Sequence, residues 1–368
     1  MARLAVAAYG RRVITLADRF RRHARMMPDG LYRTLLLAMA EDWQSGGVVA
    51  EICRDWAAAP GSAVVQLRLL AGIQRLVLSG AEPRLAVYYP NLGGTAAPDG
   101  AWQDFEPVLR RHVGELRAAL AIAPQTNEPG RSVPLLLGLF DAVRRSGLPS
   151  VRLLELGASA GLNLLVDEFF IAGDGWSYGP ATSPLWLVDA VDGPVTPVPF
   201  AVVQRRGCDL APVDVSTAEG RLWLTSFVWP HHLHRHVRLR AALAIAESRP
   251  VVVDQASASS WLASVLEPPA ADGVLTVVWH SITRQYWPVE EIAATAWVLG
   301  TARSRMPIAH IAMESPVFQN DRSEGEPEYR PAELTVQLSV PGGLADPEPV
   351  LLGTVADHGV PVRLATSP

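Results

Sequence analysis

Four residues gathered within seven positions, Glu155, Gly157, Ser159 and Gly161, give this chain its clearest chemical signal. Glu155 ends an apolar run (VRLLEL), Gly157 breaks it, and Gly161 precedes a second apolar stretch, LNLLV. An apolar strand, a glycine turn and a helix start bring backbone N–H groups and a carboxylate to one point. Glycines at 157 and 161 let the backbone approach a ligand closely, and a carboxylate at a strand end can meet an ammonium group, an arrangement suited to an adenosyl cofactor. The same letters, Gly157-Ala158-Ser159-Ala160-Gly161, also satisfy G-x-S-x-G, the nucleophile elbow of serine hydrolases. Asp254 or Asp321 followed by His358 would supply the acid and base in the right order. The spacing is not G-x-G-x-x-G, so a nicotinamide or flavin fingerprint is a poor match.

Composition removes several other chemistries. All 32 basic residues are Arg, so Schiff-base catalysis, pyridoxal phosphate attachment and the lysine-containing phosphate loop are excluded. A formal charge of -5 argues against nucleic acid as the partner. The two cysteines, Cys53 and Cys208, build neither a disulfide framework nor a zinc site. His232 and His236 share a helix face without a third ligand, so no metal is expected. The opening stretch MARLAVAAYGRR is too short and too soon interrupted by Arg for a signal peptide, and no run of roughly 18 apolar residues occurs. We expect a cytoplasmic protein with no membrane partner; the sequence does not fix its oligomeric state.

The elements that must hold these residues divide the chain in two. Apolar positions recur at helical spacing from Val13 to about Gly147, as in Leu31, Leu35, Leu36, Met39 and Trp43, which predicts a helical domain over 1–146 with about six helices. Over 147–368, short apolar segments at 151–156, 200–206, 251–253, 275–279 and 308–313 alternate with helical ones at 162–170, 231–247 and 289–304. That alternation predicts a mostly parallel α/β sheet, with an antiparallel ending in 334–340, 350–355 and 360–364. Residues 173–184 read as a loop or short hairpin, followed by an extra strand near 185–189.

The segment LLELGASAGLN resembles the first motif of class I S-adenosylmethionine-dependent methyltransferases, hydrophobic-(Asp/Glu)-x-Gly-x-x-x-Gly, and the sheet with its antiparallel C-terminal pair is similar to that Rossmann-like fold. The segments 126–132 (TNEPGRS), 207–214 (GCDLAPVD), 226–230 (SFVWP) and 279–281 (WHS) resemble a bacterial family catalogued only as a domain of unknown function, over nearly the whole chain. The first resemblance implies a methyltransferase that binds S-adenosylmethionine and modifies a small-molecule acceptor. It implies that Glu155 faces the methionine part of the cofactor, with Gly157, Ala158, Ser159, Gly161 and Asn163 cradling it and Trp279 beside it. Asp209, with Leu210, takes the ribose position, Asp189 being the rival because about 50 residues separate Asp209 from Gly157 instead of the usual ~20. Asp254 or Ser257 stands near the adenine. His280, Ser281 and Glu314 lie at the acceptor edge, where His280 can act as a base or as a hydrogen-bonded strand-end residue. Arg284 and Tyr286 would hold the acceptor, and Asn127, Glu128 and Arg131 would line the cleft or cap the following helix, the helical domain serving as a lid. A serine hydrolase using Ser159 and a non-catalytic ligand-binding module remain the alternatives.

Overall fold

A computed structural model describes residues 14–268, 270–316 and 330–365; Asp321 lies outside them. The chain forms two compact units, Met1–Pro124 and Gln125–Pro368. In the first, α1 (Leu16–Met26), α2 (Leu31–Ser45), α3 (Val48–Ile52), α4 (Val65–Leu78), α5 (Ala101–Arg111) and α6 (Val113–Leu120) are its α-helices among the described residues. Thr15 and Asp18 start α1 with a reciprocal capping box, Thr15 Oγ1 accepting from the Asp18 N–H at 3.2 Å. The 3.6-residue spacing of Leu35, Leu36 and Met39 gives α2 one fully buried stripe.

The second unit begins with α7 (Ser132–Ser146), which the sequence pattern assigns to the helical domain. Its apolar residues Leu135, Leu136 and Leu139 pack on the sheet, so the division falls at Pro124 rather than at residue 146. The remaining elements are β1 (Ser150–Leu156), β2 (Phe170–Gly173), β3 (Trp176–Tyr178), β4 (Trp186–Val188), β5 (Val191–Asp192), β6 (Ala201–Asp209), α8 (Ala218–Ser226), α9 (Leu233–Ser248), β7 (Val253–Gln255), α10 (Ala258–Leu266), β8 (Val274–Ser281), α11 (Val289–Arg303), β9 (Ile308–Glu314), β10 (Ala332–Ser339), β11 (Val350–Val355) and β12 (Val362–Leu364). None of the described helices is long and apolar enough to cross a membrane.

Nine strands form the main sheet in the order β5-β12-β11-β10-β9-β8-β1-β6-β7. The five strands from β9 to β7 are parallel, and β10, β11 and β12 continue as an antiparallel meander where an antiparallel pair is expected. The insert after β1 supplies a three-stranded sheet, β3-β2-β4, so the predicted hairpin and extra strand belong together. From β1 the chain winds outward through β6 to β7, then returns to β8 on the other side of β1. In open α/β sheets, ligands bind at the carboxyl ends of strands where the winding reverses. Here that point lies between Glu155 and His280.

Strand alternation separates the two faces at this point. Leu153, Trp279, Ile311 and Met313 pack with α7, whereas Leu154, Leu156, Val278 and Ile308 pack with Trp261 and Leu262 of α10 and Leu299 of α11. Glu155 therefore shares a face with Trp279, its register partner on β8, and His280 projects to the opposite face. Residues 162–168 form 3-10 turns in place of the α-helix that their apolar content suggests, because Leu165 leaves helical geometry and the chain turns at Phe169 into β2.

Candidate functional site

The turn after β1 is built by backbone conformation and one acid. Gly157, Ser159 and Gly161 all have left-handed φ values, +68°, +55° and +74°. Glycine suits such positions, and a Cβ on Gly157 would also lie 2.4 Å from Thr283 Oγ1. Asp209 holds the turn from the end of β6: its Oδ2 accepts from the Ser159 N–H at 2.9 Å and its Oδ1 from the Ala211 N–H at 2.9 Å. Asp189 instead follows β4 in the small sheet, its N–H donating to Ala172 O. Asn127 fixes the exit of the turn, its Oδ1 accepting from the Leu162 N–H at 2.8 Å, and the Ser132 hydroxyl donates to Asn163 Oδ1 at 2.9 Å. Asn127 thus supports the glycine turn rather than the first turn of α7.

Glu155 is 2% exposed. Burial pushes its carboxyl up to about 8, against the opposing pull of the nearby Asn163 amide, Trp279 indole and Arg131 guanidinium. Its Oε2 forms no hydrogen bond within the described residues, and neither do the Trp279 Nε1–H and the Ser159 hydroxyl, all three atoms being buried. Buried polar atoms are almost always satisfied, so three together at a switch point suit an external partner. The Glu155 carboxylate can accept from a cation, and the indole can donate to an anion or neutral oxygen.

Across the sheet the polar groups are saturated. Glu314 Oε1 accepts from His280 Nδ1 at 2.7 Å, from the Thr283 N–H at 3.1 Å and from the Arg284 N–H at 3.2 Å. Although burial opposes ionisation, His280 and these N–H groups hold the Glu314 carboxyl below the usual range. His280 Nε2 lies 2.9 Å from His310 Nε2, and burial together with the His280 and Arg303 charges pushes His310 well below the usual imidazole range. Nδ1 of His280 meets Glu314 and its Nε2 meets His310, the donor of the second bond depending on the tautomer. Both nitrogens are occupied, by side chains rather than by backbone. His280 therefore does not present a free base to an acceptor, and through Glu314 it fixes the loop whose Thr283 abuts Gly157.

The other expected residues fall around this point. Arg131 is buried and donates from Nη1 to Ser281 O and from Nε and Nη2 to Asp357 O, at 3.2–3.3 Å. Burial lowers its pKa, and Glu128 opposes that effect. Glu128 pairs with Arg235 through Oε2 and accepts from the Gly130 N–H at 3.2 Å through Oε1. Arg284 and Tyr286 occupy the 3-10 turn after β8, where Tyr286 is exposed. Leu210 is 71% exposed beyond β6. Asp254 sits on the edge strand β7, held below the usual carboxylate range first by Arg206, 2.6 Å away, and bonded to the Trp261 indole at 2.6 Å. Ser257 exchanges a hydrogen bond with Ser260 at 2.7 Å.

Among the described residues, Ser159, Asp254 and His358 are not joined into a hydrolytic triad, and Asp321, the other expected acid, lies outside them. The Ser159 hydroxyl has no hydrogen-bond partner among the described residues, Asp254 is engaged by Arg206 and Trp261, and His358 receives a hydrogen bond from Arg235 at 3.3 Å. No group of three or more His, Cys, Asp or Glu among the described residues is placed to hold a metal ion.

The family described as "Uncharacterized protein conserved in bacteria (DUF2332)" matches residues 17–363. The chain belongs to this family. No curated protein and no solved structure matches it. In this DUF2332 chain the sequence patterns miss Arg235, His310 and Thr283, which complete the polar framework. A signal for Arg235 does exist: it shares the helical stripe of Leu239, Ala242 and Ala246, all buried, and an arginine on such a stripe is drawn inward by a partner. His310 is set apart from its neighbours Ile308, Ala309 and Ile311 as the one polar side chain between apolar strand positions.

Proposed function

We propose that this DUF2332 chain is an S-adenosylmethionine-dependent methyltransferase acting on a small-molecule acceptor. One observation carries the reading: Glu155 stands buried at the carboxyl end of β1, the middle of the five parallel strands, behind a left-handed glycine turn, with Oε2 unpartnered among the described residues. That atom fits the ammonium of an amino-acid moiety, and a carboxyl raised by burial ionises when such a cation arrives. The Trp279 Nε1–H is available beside it. Asp209 spends one lone pair of Oδ2 on the Ser159 N–H of the turn and one of Oδ1 on the Ala211 N–H, and keeps a second on each for ribose hydroxyls. Ser257 is favoured over Asp254 at the adenine end, since Asp254 is spent on Arg206 and Trp261.

When bound, the cofactor supplies an electrophilic methyl group on a sulfonium. The protein's task is then alignment of an acceptor with that methyl and exclusion of water, which accounts for a site without a free base. Glu314 and His280 hold the 281–284 loop, and Arg131, Arg284 and Tyr286 face the acceptor side. His280 is a positioning residue in this scheme.

Calorimetric titration of S-adenosylhomocysteine into the folded chain tests the reading. Saturable binding, lost in Glu155→Gln, is the expected result; no binding to folded protein overturns it. Fluorophosphonate labelling of Ser159, abolished in Ser159→Ala, would replace it with a hydrolase. Cofactor binding with no transfer to any acceptor in a broad screen would leave a ligand-binding module in place of an enzyme.

A further inference from the structure

The outer side of α11 is apolar where a surface helix is ordinarily polar. Its inner side packs on α10 and β9 and buries Thr295, Leu299 and Ala302. The opposite side presents Val289, 76% exposed, and Trp297, 72% exposed, with exposed Ala293, Ala296 and Gly300 between and beyond them. Residues 292–302 carry no charge, whereas the exposed positions of α9 include Arg240 and Glu247. A helix that is apolar on both sides is ordinarily covered on both, and tryptophan is a frequent anchor of protein interfaces. Gly300 is a second sign. It has no left-handed φ and a Cβ there would meet open space, so no neighbour among the described residues requires glycine at a position where it weakens the helix.

Charge identifies what covers this face. Glu290 stands in the first turn of α11 and Arg305 just past its last, both exposed and neither side chain paired among the described residues. A second copy of α11, laid antiparallel about a twofold axis between Ala296 and Trp297, brings Glu290 of each copy beside Arg305 of the other and sets the two helix dipoles in opposition. A parallel pairing would instead set Glu290 against Glu290. The antiparallel axis also lays each indole over Ala293, Ala296 and Gly300 of the facing helix, where the missing side chain of Gly300 leaves room for it.

We infer that the outer face of α11 is a homodimer interface, formed by antiparallel pairing of α11 with its copy and anchored by Trp297. A helix of 15 residues spans about 22 Å. One such helix pair falls below ~1,200 Å² of buried surface, the range of reversible rather than permanent association. The dimer therefore forms and dissociates with concentration, around the micromolar range of about 8 kcal/mol. It rests on the residues of α11 and does not need the transfer reading.

Sedimentation velocity of the full chain, from about 1 to 200 µM, tests the interface. A monomer at the lowest concentration and a dimer fraction that grows with concentration are expected. Dimerisation weakens at least about tenfold in Trp297→Glu and in Gly300→Leu, with circular dichroism unchanged because both positions face outward. Glu290→Arg and Arg305→Glu each oppose like charges and weaken it about threefold or more, and the double variant, which exchanges the two charges, restores it. A monomer at every concentration overturns the inference, whatever else covers the face. A dimer undiminished in either folded variant, Trp297→Glu or Gly300→Leu, overturns it as well, and failure of the double variant to recover overturns the antiparallel pairing. If one of those two variants does not fold, the other decides alone.

Discussion

Glu155 and Glu314 end parallel strands on opposite faces of one sheet, both almost fully buried, and their carboxyl groups shift in opposite directions. Glu314 receives a histidine and two backbone N–H groups on one oxygen, and its negative charge is satisfied from within. Glu155 is buried with the Asn163 amide, Trp279 indole and Arg131 guanidinium nearby, which do not offset its burial, and one of its oxygens has no partner among the described residues. Burial alone therefore does not tell a structural acid from a ligand-binding one. The inventory of donors around each oxygen does.

The largest effect is expected at Glu314. Glu314→Ala leaves His280 and two backbone donors without their acceptor, and loss of one partner of a buried pair costs about 3–5 kcal/mol, measurable by urea denaturation. Since the folded-state pKa of Glu314 is lowered, its contribution is full above the ordinary carboxylate range and is lost as pH falls through the lowered value. Glu155 gives the opposite sign. Its folded pKa of about 8 exceeds the unfolded 4.5, so it costs stability progressively as pH rises from 4.5 to 8. Glu155→Gln is expected to stabilise the chain by about 2–4 kcal/mol at pH 8, with the gain vanishing near pH 4.5. The same variant loses S-adenosylhomocysteine binding. If the native chain binds it as proposed, binding at pH 7 is expected to release a proton, read as an enthalpy that changes with buffer ionisation heat. Equal signs of the stability change in Glu155→Gln and Glu314→Ala would dissolve the contrast between the two acids.

Smaller changes sharpen it. Asp209→Asn weakens one hydrogen bond to the glycine turn and one to the Ala211 N–H, at about 1–2 kcal/mol in all, and is expected to lower cofactor affinity. Ser159→Ala removes an unsatisfied hydroxyl and should move stability by less than about 0.5 kcal/mol, with methyl transfer intact and no fluorophosphonate labelling in the parent chain.

Much of this arrangement is legible in the sequence, because the strongest signals are local. The apolar run into Glu155, the glycines and the Ser159 turn lie within a few residues, and the strands β8, β9 and β10 declare themselves by continuous or alternating apolar residues. Alternation also carries the division of faces: Trp279 and His280, adjacent in sequence, point to opposite sides. Pairing across strands is not local. His280 meets His310 through the register of β8 on β9, in which Val278 stands opposite His310, and no spacing rule within either strand announces it. The 3-10 geometry at 162–168 escapes for a related reason: LNLLV is apolar enough for a buried helix, and the turn into β2 that cuts it short is set by tertiary packing. The boundary at Pro124 is hidden because α7 has the same periodicity as the helices before it, and only its packing partner differs.

The outer edge of the main sheet carries a consequence for biosynthesis. Val191 and Asp192 of β5 pair in parallel with Val362 and Arg363 of β12. A ribosome adding about 5–20 residues per second leaves β5 exposed for on the order of ten seconds or more before its partner emerges. Within the insert after β1, β2, β3 and β4 pair with one another, so only β5 waits for β12. Truncation just before Val362 would leave β5 without its partner strand, so β12 acts as a clasp on a segment translated long before it.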